Sequence, residues 1–327
     1  MLDLLARFAE NSYWMARYME RAENLARTLD VNETFAQNSE GVNEWLPIVQ
    51  LYADSDRFFE RHSEATADAV LHFYILDREN PNSVLSTVYM ARENARSLRH
   101  LISTETWQQL NVFYNRLLKL QPRDLALSQL SRLCLGIKED CQLHTGIIEG
   151  TGYRDQAWYI YQIGKYLERM DQTTRLLDIN YHRLLPSLQQ VGTEIDSSRW
   201  NAVLRSVAGY HAFRRVHPRG MSPSTVAAFL LFDPSFQRSV AVCIEIVDEM
   251  FTRLSSLVPS SDIGHGAQSL ATLRIIGKET SIEQVIVTGL HEFLDHLQQH
   301  IISLNDELGD TLFGHRYERA TASQHQS

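Results

Sequence analysis

Glycine and proline are scarce in this chain: 15 and 8 of 327 residues, about 7% together, against a usual level of roughly 12%. So little punctuation disfavours a turn-rich β protein. Cysteine is scarcer still. Cys134, Cys141 and Cys243 cannot build a disulfide framework, and the missing Cys-x-x-Cys removes zinc ribbons and thioredoxin-type redox sites. Cys134 and Cys141, at heptad spacing, read as small core residues. Long apolar runs are absent too: Val226–Phe232 is only seven residues, far short of the ~18 a membrane span needs. The opening MLDLLARFAENSYW lacks the apolar centre of a signal peptide. Positive charge is not in excess either. With 31 Lys+Arg against 40 Asp+Glu the formal net charge is −9 and the pI about 5.8, which argues against nucleic acid and anionic membranes as partners. The expectation is a soluble protein of the reduced cytoplasm.

Several chemical signatures are missing as well. No GxxxxGK[ST], GxGxxG or GxSxG occurs, so no recognised nucleotide loop or nucleophile elbow is present. His291 and His296 (HEFLDH) are five apart and fall on different helix faces, unlike the HExxH zinc arrangement. His296 and His300 share a face but bring no placed carboxylate. No Glu-x-x-His pair exists, which speaks against a di-iron bundle. No metal and no cofactor are expected.

What the sequence does carry is helical period almost throughout. Helices are expected at about 2–36, 43–60, 64–77, 83–103, 104–119, 123–147, 153–185, 196–214, 223–232, 235–257 and 281–309. Ser222-Pro223 and Asp233-Pro234 look like helix starts, a capping residue followed by proline. The fold class is therefore all-α. An internal repeat organises it. RYMERAENLARTLDV at Arg17–Val31 matches KYLERMDQTTRLLDI at Lys165–Ile179, with six of fifteen positions identical. FYILDRENPNSV at Phe73–Val84 then pairs with FLLFDPSFQRSV at Phe229–Val240. Two ordered matches point to a helical bundle built by tandem duplication. Its halves would be 1–150 and 151–316, packed as one body, with a polar, disordered tail at 317–327.

On the first repeated helix Arg17, Glu20, Arg21, Asn24 and Arg27 share one face, and Lys165, Glu168, Arg169, Gln172 and Arg175 repeat the order on the second. Guanidinium forks suit carboxylate or phosphate, so the face reads as a site for an anion, a substrate or a partner. A glutamate among arginines could also orient them or accept a proton. The same pattern equally describes a solvated face of i,i+4 ion pairs, or an internal network where the two helices meet. Arg92 and Arg96 form a second basic stretch with Glu93 and Arg99. Arg214 and Arg215 belong to a third, with His211, His217 and Arg219, just before the helix start at Ser222.

FAENSYWMARYMERAENLARTLDV strongly resembles the opening of the alpha-E domain family of bacterial all-helical proteins. The resemblance continues through NPNSVLSTVYMARENARSLRHLISTETWQQLN and FLLFDPSFQRSV, so it covers essentially the whole chain. Ala16 departs from a family glycine that Gly164 retains, and Gln237 departs from a family proline. The positions the family marks are Tyr13, Trp14, Arg17, Glu20, Arg21, Glu23, Asn24, Arg92, Asn94, Arg96, Arg99, Trp107, Asn111, Arg238 and Ser239, with Glu168 and Arg169 in the second copy. The resemblance implies a setting more than a reaction. Such proteins stand beside, or are fused to, a circularly permuted ATP-grasp protein, with a transglutaminase-like protease and a proteasome-like peptidase also associated.

The expectation is thus an accessory or partner protein of an ATP-grasp-type peptide or amide ligation, or of a protein-modification system. It would bind the ligase or its carboxylate or amine substrate through Arg17, Glu20, Arg21, Asn24, Arg27, Lys165, Glu168, Arg169 and Arg175, with Arg92, Arg96, Arg214 and Arg215 as further binding candidates. Two alternatives stay open: an enzyme using Glu20 or Glu168 as general base in amide transfer or hydrolysis, and a helical scaffold or homo-oligomer with no small-molecule site.

Overall fold

The computed structural model describes residues 4–36, 45–184, 194–257 and 266–313; the tail expected at 317–327 lies outside them. Among the described residues there are fifteen α-helices and no strand. In chain order they are α1 Ala6–Ala36, α2 Leu46–Leu51, α3 Ser55–Phe59, α4 Ala67–Ile75, α5 Val84–Ser97, α6 Thr104–Leu117, α7 Leu127–Thr151 and α8 Gln156–Leu184. There follow α9 Glu194–Ser206, α10 Tyr210–Val216, α11 Pro223–Phe232, α12 Val240–Ser255, α13 Gly266–Glu279, α14 Ile282–Thr288 and α15 Leu290–Leu312. No described helix is long and apolar enough to cross a membrane.

The two longest helices, α1 and α8, pack against each other at the centre. Around them, α5 and α7 lie on α1, while α12 and α15 lie on α8. The close approach of the central pair requires Gly164. A Cβ there would come within 2.5 Å of the Tyr13 carbonyl oxygen, so an alanine would push the helices apart. Two hydrophobic clusters flank this axis, one drawn chiefly from residues 15–148 and the other chiefly from 160–313. They trade members: Ala9 and Tyr13 of α1 sit in the second cluster, and Tyr161 of α8 sits in the first.

Local features recur in parallel along the chain. Phe58, His62 and Phe73 form a ring cluster in which His62 lies 4.7 Å from Phe58; Phe213, His217 and Phe229 form another with His217 4.7 Å from Phe213. Ser83 caps α5 and Ser239 caps α12 through the side-chain oxygen. Ala53 and Ala208 each adopt left-handed φ, 53° and 56°.

Those two alanines explain why the expected helices 43–60 and 196–214 are broken. The first stretch has no glycine or proline at the break, so nothing in composition marks it; the second carries Gly209 directly after Ala208, where it stands at the N-cap of α10. Gly289, at φ 105°, likewise splits 281–309 into α14 and α15. The start at Asp233-Pro234 is also moved. Asp233 closes α11, its Oδ1 accepts from Ser235 N, and α12 begins only after Ser239. The start at Ser222-Pro223 stands, with Ser222 and Thr225 in a capping box. α13 had no counterpart in the sequence reading. Its apolar stripe is short, Leu270 and Leu273, and ends at Gly277, which lies against Ile244 of α12.

Candidate functional site

The charged faces of α1 and α8 do not look outward. They look at each other. Glu168 is wholly buried and Glu20 is 4% exposed. Each glutamate is gripped by arginine from the opposite helix. Arg21 donates Nε to Glu168 Oε1 at 2.7 Å and Nη2 to Oε2 at 3.0 Å, and Arg17 Nε adds a bond to Oε2 at 2.7 Å. In return Arg169 donates Nε to Glu20 Oε1 at 2.9 Å and Nη2 to Oε2 at 2.7 Å. These are paired forks, the strongest geometry for a guanidinium on a carboxylate. One turn on, Asn24 donates to Glu20 and Gln172 to Glu168.

Further bonds tie these groups to the neighbouring segments. Arg238, just before α12, donates Nη1 to Glu20 Oε1 (2.9 Å) and Asn24 Oδ1 (2.7 Å), and Nη2 to Glu23 Oε1 (3.0 Å). Arg27 pairs with Glu23 and Arg175 with Asp171, both four residues back on their own helices. Arg17 reaches Asn305 of α15 through Nη1 at 2.7 Å, and the Tyr13 hydroxyl donates to the same Oδ1 at 2.8 Å. Lys165 stands where Arg17 stands on α1, yet its Nζ turns to the Glu149 carboxylate at 3.5 Å.

Burial alone would raise the pKa of both glutamates, but the guanidinium charges outweigh it. Glu168 is brought down to about 2 by Arg21 and Arg17. Glu20 is held well below the carboxylate range by Arg169 and Arg238. Burial, joined by the charge of Arg169, lowers Lys165. His144 of α7 is fully buried with no hydrogen-bond partner on either ring nitrogen, and burial with the Lys165 charge brings it to about 3. A general base works best with a pKa near the operating pH and with room for a substrate proton. Neither glutamate has these; both carboxylates are spent on arginine.

A family comparison attaches to this geometry. The alpha-E family, described as a predicted alpha-helical domain with a conserved ER motif, matches residues 4–313. The chain belongs to the alpha-E family. The Glu20-Arg21 and Glu168-Arg169 dipeptides suit that motif, and in this alpha-E protein they are the two halves of one exchange. Uncharacterised proteins of Mycobacterium bovis and Mycobacterium tuberculosis are each 23% identical over 289 residues, covering 76% of this chain and 32% of theirs. The chain thus spans about a third of the length of those relatives. No solved structure matches it.

The remaining candidate residues lie in other groups. Arg92 donates to Asn111 and pairs with Glu93, which Arg96 also contacts, and Arg92 and Arg99 both lie 5.3 Å from the Trp107 ring. Arg214 and Arg215 project from α10 into solvent. The helix start at Ser222 is occupied by its own capping box. Among the described residues one cluster has metal-ligand character, Asp178, His291 and Asp295, in which His291 Nδ1 lies 2.8 Å from Asp178. Three members of the central network, Glu23, Arg238 and Asn305, were not among the candidate binding residues, although Glu23 and Arg238 are positions the family resemblance marks. For Arg238 a signal existed: it aligns with Asn82 immediately before a capping serine. Asn305 has none, since its role depends on where α15 docks.

Proposed function

We propose that this alpha-E protein acts by binding, as the accessory member of an ATP-grasp-type amide-ligation or protein-modification system, and that its Glu/Arg faces are the clasp that shapes it. The observation carrying the non-catalytic part is the saturation of Glu20 and Glu168, each buried and held by two guanidiniums. The ligation setting is supported by the family resemblance. It is also supported by the mycobacterial relatives, in which the matched region is one part of a much longer chain. We read the two halves as a tandem duplication. The exchanged forks, the paired ring clusters and the left-handed alanines at Ala53 and Ala208 support that reading.

The test is reconstitution with a circularly permuted ATP-grasp protein of the kind the resemblance implies. The two should co-elute, and the alpha-E protein should raise peptide-dependent ADP release, while alone it turns over no amide substrate. Turnover by the isolated protein that disappears in Glu20→Gln or Glu168→Gln, with the fold intact, would overturn the reading in favour of a catalyst.

A further inference from the structure

A cleft of about 600 Å³ opens where α1, α7, α9 and α10 meet. Its volume falls within the roughly 300–1,000 Å³ typical of small-ligand sites. Its walls carry Arg27, Lys138 and Arg205 against a single carboxylate, Asp30, in a chain whose formal net charge is −9. Asp30 is already engaged by Ser131 Oγ at 2.5 Å and Lys138 Nζ at 2.6 Å. Arg27 spends Nε and Nη2 on Glu23, so Nη1 remains for another acceptor. Arg205 pairs with no carboxylate among the described residues; its guanidinium lies over the Tyr210 ring at 4.6 Å from the centroid. The cleft therefore has positive charge waiting for an oxyanion, and an aromatic face beside it.

A second observation narrows the ligand. Asn201 lines the same cleft, and its Oδ1 is buried without a hydrogen-bond donor. An unsatisfied buried acceptor is costly, and a donor from a ligand would remove the cost. The site thus suits a molecule that carries both an oxyanion and a hydrogen-bond donor. Acetate supplies only the first, and phosphate offers a donor only as the O–H of its protonated forms. The last residue of a peptide supplies both, its carboxylate and its amide N–H being attached to the same Cα.

We propose that this cleft binds the C-terminal carboxylate of a peptide. Arg205 and the free arm of Arg27 take the carboxylate, Asn201 accepts the terminal amide N–H, and Tyr210 covers the final side chain. This rests on the binding reading above and gives it a substrate class.

The experiment is calorimetric titration of the full chain with N-acetyl-Gly-Ala-Tyr as free acid and as C-terminal amide, with phosphate and acetate in parallel. The acid should bind, and the amide should be weaker by about tenfold or more. Arg205→Ala and Asn201→Ser should each weaken the acid about tenfold with an unchanged unfolding midpoint. Arg214→Ser/Arg215→Ser should leave binding as it is. Equal binding of acid and amide overturns the proposal. So does phosphate or acetate matching the peptide, which would mark a simple anion site, or no binding up to about 10 mM. No ligase is present in this titration, so its failure is separate from a failure of the ligase to associate.

Discussion

Glu20 and Glu168 occupy matching places on α1 and α8, yet they are held differently. Glu168 takes both of its arginines, Arg17 and Arg21, from α1. Glu20 takes only Arg169 from α8, because the residue matching Arg17 is Lys165, which turns to Glu149. Its second guanidinium is Arg238, arriving from the turn before α12, where the matching residue is Asn82. Each carboxylate still ends with two guanidiniums. The number of charges around a buried carboxylate is thus kept, while the segment supplying them is not. A buried ion must be matched by charge and hydrogen bonds, and any backbone that delivers them will serve.

The largest effect should come from removing the carboxylates. Glu168→Gln leaves Arg17 and Arg21 with neutral partners only, Asn305 and Asn82 among them. Glu20→Gln leaves Arg238 still on Glu23. Both should lose stability by about 3–5 kcal/mol in denaturant unfolding, with Glu168→Gln the worse of the two. The reverse order would undo the comparison.

Arg238→Asn makes the second half resemble the first at this position and should cost about 2 kcal/mol, the loss of charged hydrogen bonds. Lys165→Arg alone adds guanidinium to a region with no spare acceptor. Combined, the two should cost less than their sum, because the new arginine can take the vacated side of Glu20. A double-mutant cycle with no coupling would show the two sources of charge are not interchangeable.

Acid gives a smaller, graded effect. His144 in the folded protein stays neutral down to about 3, whereas the unfolded chain takes up that proton near 6.5. Stability should therefore fall as pH drops below about 6.5, by up to about 1.4 kcal/mol per pH unit for this one group. The depressed glutamates act in the same direction: their contribution is full above the unfolded value of about 4.3 and fades as pH falls toward about 2, the folded value of Glu168. Unfolding of His144→Leu followed against pH should show the slope between 6 and 5 flattened while the steeper loss below 4.5 remains. The smallest effect belongs to Arg214→Ser/Arg215→Ser, within about 0.5 kcal/mol, since these arginines contact solvent.

The helical class and most elements were legible because apolar period and capping serines are local signals. Ser83 and Ser222 each start a helix where the pattern announces one, whereas the helix expected from Asp233-Pro234 begins only after Ser239. The break at Ala53 was not, because an alanine forced into left-handed φ is fixed by packing rather than by its own preference; the break at Ala208 had a local mark in Gly209, which the continuing helical period outweighed. At the site, the residue types were legible and the partners were not. Arg17, Glu20 and Arg21 look like an intrahelical ladder, the spacing that usually gives i,i+4 pairs. The pairing that forms instead crosses from α1 to α8, the internal network that was one of the readings of the pattern; which arginine meets which glutamate is encoded by no local pattern.

That separation has a consequence for how the protein is made. The fork between Glu20 and Arg169 joins residues 149 apart, and the bond to Arg238 spans 218. At roughly 5–20 residues per second, α1 leaves the ribosome and waits on the order of ten seconds before the arginine that holds Glu20 has even been synthesised. Through that interval Glu20 has only Asn24 of its final partners, and Arg17 and Arg21 have only neutral ones, Tyr13 and Asn82. The apolar stripe of α1 can pack on α5 and α7 during that interval, but the charged face stays unmatched, and a truncated translation product ending before α8 should be cleared by proteolysis rather than accumulate as a stable fragment.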